Sequence, residues 1–211
     1  MSNSLYPKLS KRIALIKPSP TMAVTKLAAE MRAEGKNVIG LGAGEPDFDT
    51  PEHIKKAGID SIKQGKTKYT AVDGTPDLKQ AVSKKFQKDN NLNFNSEEII
   101  ISAGGKQVLF NAFLCSLDPD DEVIIPSPYW VSYPDMVTLA GGKPVIVDGK
   151  ETNGFKVLSE QIEGLISNKT KWLIINSPSN PTGATYSKKE LMSIGEMLLN
   201  CLLYTSDAAD E

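Results

Sequence analysis

Short, uninterrupted apolar runs separated by helical patterns constrain this chain more than any other feature. Ile99-Ile100-Ile101 and Leu173-Ile174-Ile175 show no polar alternation. A strand with one face in water alternates apolar and polar residues, whereas a continuous run suits a strand covered on both faces, as in a largely parallel sheet. Candidate strands are residues 37–41, 98–102, 121–126, 143–148 and 171–176. Helical patterns fill the gaps. One spans 21–34 and ends at Gly35. Two more follow Thr50-Pro51 and Thr75-Pro76, with proline at the first helical position, the second reaching about Lys88. A fourth begins near Gly105 and is apolar nearly all round, which predicts burial. A last helix opens with the capping box Ser187-Lys188-Lys189-Glu190. The alternation predicts an α/β fold, a three-layer α-β-α sandwich with a mainly parallel sheet.

Bulk properties narrow the function. The 211 residues suffice for one large domain or one and a half small ones. A net charge of −2 gives no global attraction for nucleic acid or an anionic membrane. The longest apolar runs, such as 108–114, are far too short to span a bilayer, and no secretory pattern opens the chain. Cys115 and Cys201 make neither a disulfide framework nor a zinc motif, and Cys115, in an apolar run, reads as a buried thiol. The expected compartment is the reducing cytoplasm. The single histidine, His53, follows Pro51-Glu52 at a helix start and reads as solvated, which argues against histidine-based catalysis or metal binding.

Four loops sit where α/β folds build sites, at the C-terminal ends of strands. Ser102-Ala103-Gly104-Gly105-Lys106-Gln107 leads into a helix start, whose N–H groups and positive dipole end suit a phosphate; a tight turn explains it equally well. It is not a nucleotide-binding Walker loop, because Ile100 stands where glycine is needed and Gln107 follows Lys106. Gly42-Ala43-Gly44-Glu45-Pro46-Asp47 lacks the third glycine of a dinucleotide fingerprint, and Pro46 interrupts the helix start; it reads as a loop exposing backbone at Gly44. In Ser127-Pro128-Tyr129-Trp130, Trp130 is either a core aromatic or a stacking surface for a flat cofactor. Asn176-Ser177-Pro178-Ser179-Asn180-Pro181-Thr182-Gly183 is stiffened by two prolines, and a cis Asn180-Pro181 bond would aim the Asn180 amide in one direction.

Taken together, these loops resemble the fold-type I pyridoxal-phosphate-dependent aminotransferases, in particular bacterial aspartate aminotransferases. The residues that carry the resemblance are Gly44-Glu45-Pro46-Asp47-Phe48, Lys68-Tyr69-Thr70, Gly104-Gly105-Lys106-Gln107, Ser127-Pro128-Tyr129-Trp130 and Asn180-Pro181-Thr182-Gly183, in the family's order and spacing over about residues 5–200. The resemblance implies pyridoxal 5'-phosphate as cofactor. Gly104, Gly105 and Lys106 would line its phosphate, Trp130 would stack on its ring, and Asn180 would hydrogen-bond its phenolic oxygen. Tyr69 would reach the phosphate of a neighbouring subunit's cofactor, which implies a homodimer. Gly44 would meet the substrate's α-carboxylate, the Lys106 ammonium a distal carboxylate, and Lys17 would lend charge to the same pocket. The implied reaction moves an amino group between an amino acid, aspartate or another dicarboxylic one, and a 2-oxo acid.

The resemblance also implies what is missing. The lysine that holds the cofactor, the acid that pairs with its ring nitrogen and the arginine that clamps the α-carboxylate all fall beyond Gly183 in the family. The chain therefore reads as an N-terminal part without catalytic residues of its own. Residues 1–45 are expected to form an arm and part of a small domain, and residues 46–200 part of the large cofactor-binding domain. Residues 201–211 break the helical pattern, and their back-translation resembles a sequencing-library adapter, so a non-native tail is expected. Alternatives on the same scaffold are an aromatic, alanine or diaminopimelate aminotransferase or a lyase such as aminocyclopropane-carboxylate synthase. A non-catalytic binding protein that kept half the scaffold is the alternative from another class.

Overall fold

A computed structural model describes residues 10–16, 18–42, 44 and 46–201; Lys17, Ala43, Glu45 and residues 202–211 lie outside the described residues. The chain divides into two compact units, one of residues 18–105 and one built from residue 106 onward together with residues 10–16.

In the first unit, α1 (Pro20–Ala33) starts with proline behind Ser19, whose side chain accepts from the Met22 N–H. α2 (Glu52–Lys63) starts one residue later than expected, with Pro51 at the cap position. α3 (Pro76–Asn90) ends where Asn91 turns left-handed at φ 55°. The Lys79 ammonium, almost buried, pairs with Asp73. Phe86 meets Phe94 edge to face at 5.3 Å.

Two expected strands are absent here. Residues 37–41 and 98–102 form no ladder among the described residues. Residues 96–98 instead make a 3-10 turn, and the Ile101 N–H donates once, to the Asp73 carbonyl at 3.0 Å. An apolar run reports a demand for burial, but a strand also needs a neighbour to accept its hydrogen bonds. That neighbour is not among the described residues, and Ile39, Leu41 and Ile100 remain 81%, 91% and 71% exposed.

The second unit carries the sheet. Its elements are α4 (Gly105–Ser116), β1 (Glu122–Ser127), α5 (Ser132–Ala140), β2 (Lys143–Asp148), α6 (Ser159–Glu163), β3 (Thr170–Leu173) and α7 (Lys188–Asn200). The order is β2-β1-β3, all parallel. Glu122 faces Thr170 while Val123 faces Trp172, a one-residue irregularity at the start of β3. β3 stops short of the expected residue 176, although the Ile174 N–H still donates to the Ile124 carbonyl at 3.0 Å.

Successive residues of β1 feed opposite layers, as strand geometry requires. Val123 and Ile125 pack with Phe113, Leu117, Tyr133, Met136 and Val137 from α4, α5 and their flanks. Ile124 packs on the other face with Val147, Val157, Ile162, Ile194 and Met197. Val123, Ile124 and Ile125 are wholly buried, so the continuous apolar run marks a strand covered on both sides. The connection from β1 to β2 runs one way across the sheet and that from β2 to β3 runs the other. Right-handed crossovers then put α5 and α6 on opposite faces, where the two clusters contain them.

The burial expected for α4 is only partly met. Phe113 is its one buried residue, while Val108 and Leu114 are each 49% exposed. Cys115 is exposed rather than buried, its thiol directed to the Ala112 carbonyl at 3.2 Å. The sheet covers one side of this helix, and nothing among the described residues of its unit covers the other. His53 is exposed, as expected. No helix among the described residues is long and apolar enough to cross a membrane.

The expected capping box of α7 is present, and it joins an ion pair. Glu190 accepts from the Ser187 N–H (2.6 Å) and from Lys156 Nζ (2.5 Å), fastening α7 to the segment before α6. The Lys156 ammonium, then the Ser187 donors, hold the Glu190 carboxyl down at about 2 from an ordinary value near 4.5. The native state thus binds this proton less readily than the unfolded chain does. Its stabilisation is complete above pH 4.5 and is lost as pH falls towards 2. Glu190→Gln is expected to flatten the dependence of chemical-denaturation stability on pH across that window. An unaltered acid limb in the variant would refute the assignment.

Candidate active site

Two loops meet at the C-terminal edge of the sheet, and the topology explains why. β1 is followed by α5 on one face, whereas the adjacent β3 is followed by α7 on the other. Neighbouring parallel strands whose following helices diverge to opposite faces leave a crevice between their C-terminal ends. The loop Ser127-Pro128-Tyr129-Trp130 leaves β1 at this crevice, and the loop 176–183 follows β3 there.

Both loops are tied to the framework. Ser127 Oγ donates to Asp148 Oδ1 at 3.1 Å, and the Gly149 N–H donates to the Ser127 carbonyl at 2.8 Å. In the second loop the Asn180 N–H donates to Asn176 Oδ1 at 3.0 Å, the Gly183 N–H to the Ser179 carbonyl at 2.8 Å, and the Tyr186 N–H to Ser177 Oγ at 3.0 Å. The Asn180-Pro181 bond is cis, as are Ser127-Pro128 and Ser177-Pro178. Asn180 is exposed, and its side-chain amide has no hydrogen-bond partner among the described residues.

Trp130 is half-buried against the α4–α5 cluster. Its ring meets Tyr133 edge to face, centroids 5.4 Å apart at 89°. Lys106 Nζ lies over the Trp130 ring, 5.0 Å from its centroid. Lys106 belongs to the first turn of α4, which opens at Gly105. Gly104 has φ +91°, a conformation that favours glycine, and its N–H donates to the Ser102 carbonyl at 2.8 Å. A Cβ on Gly104 or Gly105 would meet nothing within 4 Å, so the backbone here stands open to an approaching group. An α-helix leaves its first N–H groups without acceptors inside the helix and places a partial positive charge there. Open glycine backbone at a helix start fits a phosphate ester, and a flat indole fits an aromatic ring.

The structure thus brings Lys106 onto Trp130 and places Asn180 on the neighbouring loop of the same crevice. Gly44 and Tyr69 belong to the first unit and are exposed, and Lys17 lies outside the described residues. Residues given no role in the sequence also line the crevice: Tyr129, Asn176 and Ser179 from the two loops, with Tyr133 and Tyr186, border a cleft of about 20 Å³, room for a single water. Burial raises the Tyr133 hydroxyl above the usual tyrosine value. In sequence these tyrosines pass for ordinary core aromatics. Only their position after strand ends hints at more.

Comparisons with known proteins bear on the same residues. The family model for aminotransferase class I and II matches residues 36–209. An aspartate/prephenate aminotransferase from Nitrosomonas europaea is 57% identical over 191 residues, covering 90% of this chain and 48% of the relative. A probable aspartate/prephenate aminotransferase from Rickettsia prowazekii is 59% identical over 190 residues, with the same coverage of 90% and 48%. Among solved structures, the aspartate aminotransferase of Rhizobium meliloti matches with a TM-score of 0.88 at 49% identity, over 93% of this chain and 49% of that one. That of Thermus thermophilus with maleate matches with a TM-score of 0.89 at 47% identity, over 92% and 51%. The chain spans about half the length of the curated relatives it matches.

Proposed function

The chain belongs to the class I and II aminotransferases, and from that premise we propose that its full-length parent moves an amino group between an amino acid and a 2-oxo acid with pyridoxal 5'-phosphate as cofactor. The observation that carries the reading is the open Gly104-Gly105 backbone at the start of α4, with Lys106 lying on Trp130. When bound, the cofactor supplies an electron sink that lets a bond at the amino acid's α-carbon break heterolytically.

The chain's own residues bind and orient. N–H groups at Gly105 and Lys106, with the positive end of α4, hold the phosphate dianion, and Gly104, whose own N–H is taken by the Ser102 carbonyl, lines it with bare backbone. Trp130 offers the flat surface for the pyridine ring. The unpartnered Asn180 amide donates to the ring's phenolic oxygen. Gly44 offers backbone to the substrate's α-carboxylate, and Lys17 adds positive charge. Tyr69, exposed in this chain, reaches a cofactor phosphate across a homodimer interface. The Lys106 ammonium meets a second carboxylate, which makes the substrate a dicarboxylic amino acid. The naming of the relatives for aspartate and prephenate, and the maleate in the Thermus neighbour, support that class. Residues 1–45 form an arm and part of a small domain, residues 46–200 part of the large domain, and residues 201–211 a non-native tail. The enzyme works in the cytoplasm.

The lysine that attaches the cofactor, the acid at its ring nitrogen and the carboxylate-clamping arginine lie in the half of the relatives' length that this chain does not span. The full-length parent is expected to turn over aspartate with a 2-oxo acid, while the 211-residue chain shows no turnover. Borohydride reduction of that chain with pyridoxal phosphate should label no single lysine stoichiometrically. One uniquely labelled lysine accompanied by transamination would overturn the assignment.

A further inference from the structure

We infer that Trp130 is a positioning residue for Lys106, holding its ammonium on the indole face so that the charge meets the side-chain carboxylate of a dicarboxylic amino acid from a fixed place. The inference rests on the role proposed above for Lys106 and adds what sets its geometry.

Lys106 stands where a cation is disfavoured. It lies in the first turn of α4, which contains no acidic residue, and a helix start carries partial positive charge. The ion pairs of the described residues leave it out, although many other lysines have one. Its side chain is exposed and unbranched, the kind that ordinarily samples many rotamers. The attraction that offsets these costs is the indole quadrupole, with Nζ 5.0 Å from the ring centroid, inside the range of about 6 Å over which a cation is held on an aromatic face.

The ring is itself fixed. It packs on the α4–α5 cluster and meets the buried Tyr133 edge to face at 5.4 Å, and the Tyr133 N–H donates to the Trp130 carbonyl at 3.0 Å. A mobile cation therefore rests on a rigid plate. With no carboxylate partner of its own, the ammonium keeps its charge for a ligand, and it has less freedom to lose when the ligand arrives.

Stacking on a cofactor and holding Lys106 are separable demands on Trp130. Loss of stacking lowers catalysis with every amino acid alike, whereas a misplaced Lys106 penalises only substrates with a second carboxylate. The test measures kcat/KM for aspartate and for alanine in the full-length enzyme and takes their ratio. Trp130→Leu is expected to lower the ratio by about two- to fivefold, the scale of a cation–π contact. Trp130→Phe, which retains a ring face, should recover most of it. Lys106→Met should lower the ratio by itself, and adding Trp130→Leu to it should lower the ratio no further, because the tryptophan acts through the lysine. A ratio unchanged by Trp130→Leu while both rates fall, or an additive loss in the double variant, overturns the inference. A ratio unchanged by Lys106→Met shows instead that the reading of Lys106 beneath it is wrong.

Discussion

A Phe113→Ala chain is expected to lose about 3–5 kcal/mol of stability, read as a fall in the urea midpoint of the circular-dichroism transition. Phe113 is wholly buried, the one residue of α4 that is, while Leu109 and Phe110 pack against the same core only in part. It lies among Val123, Ile125 and Val137, so removing the ring leaves a cavity bounded by the central strand on one side and α5 on the other. It also meets Trp172 edge to face at 5.6 Å and 88°, a geometry that adds roughly 0.5–1.5 kcal/mol beyond burial. Trp172 cannot readily follow the cavity, because its Nε1 donates to Ser116 Oγ at 2.8 Å at the end of the same helix. A domain's whole stability is about 5–15 kcal/mol, so the substitution removes a large share of it. A loss under about 1 kcal/mol, the ordinary size for a typical point mutation, would show that α4 is not anchored through this ring.

The second large effect comes from adding a single carbon. Gly149, which follows β2, is buried, and a Cβ there would stand 2.4 Å from the Ser127 carbonyl oxygen and 2.7 Å from that of Phe155. Both obstacles are main chain, so no side-chain rotation relieves the clash, and Gly149 already donates its N–H to Ser127 at 2.8 Å. Gly149→Ala is expected to cost about 1–3 kcal/mol, the usual penalty for overfilling a packed site. The damage should not be confined to stability. Ser127 begins the loop that carries Trp130, so tryptophan emission of the folded variant should change as well. A variant with wild-type stability and emission would mean that the two carbonyls separate freely.

Much of this architecture is legible in the amino-acid sequence. Residues 121–126 were expected as a strand, and Val123, Ile124 and Ile125 within it are wholly buried, as a strand covered on both faces requires. Proline and capping signals placed the starts of α3 and α7, and the helical pattern that of α1, to within a residue. The same logic failed at 37–41 and 98–102 for a definable reason: apolar content specifies burial but not the hydrogen-bond partner that turns an extended segment into a strand. It failed differently at Cys115, where an apolar helix was read as buried all round although the described residues of its unit cover one side. In the site, the glycines at 104 and 105 and the aromatic at 130 were readable from loop composition. The cation on the Trp130 face was not, since 24 residues separate it from Lys106 in sequence and only the return of the chain through β1 brings them together. Tyr133 and Tyr186, which also border the crevice, carry no mark that separates them from core residues.

The central place of β1 has a consequence for how the molecule breathes. Its main chain is flanked by a parallel neighbour on each side and by an apolar layer above and below. Among the described residues, β2 and β3 have a sheet neighbour on one side only. An amide protected on all four sides trades its proton with solvent only when the whole unit opens, whereas fraying is enough for an outer strand. In deuterated water the second unit should therefore lose its protons last along a single stripe from Val123 to Ile125. That stripe leads directly to Trp130, so the ring that holds the lysine is mounted on the slowest-exchanging segment of its unit.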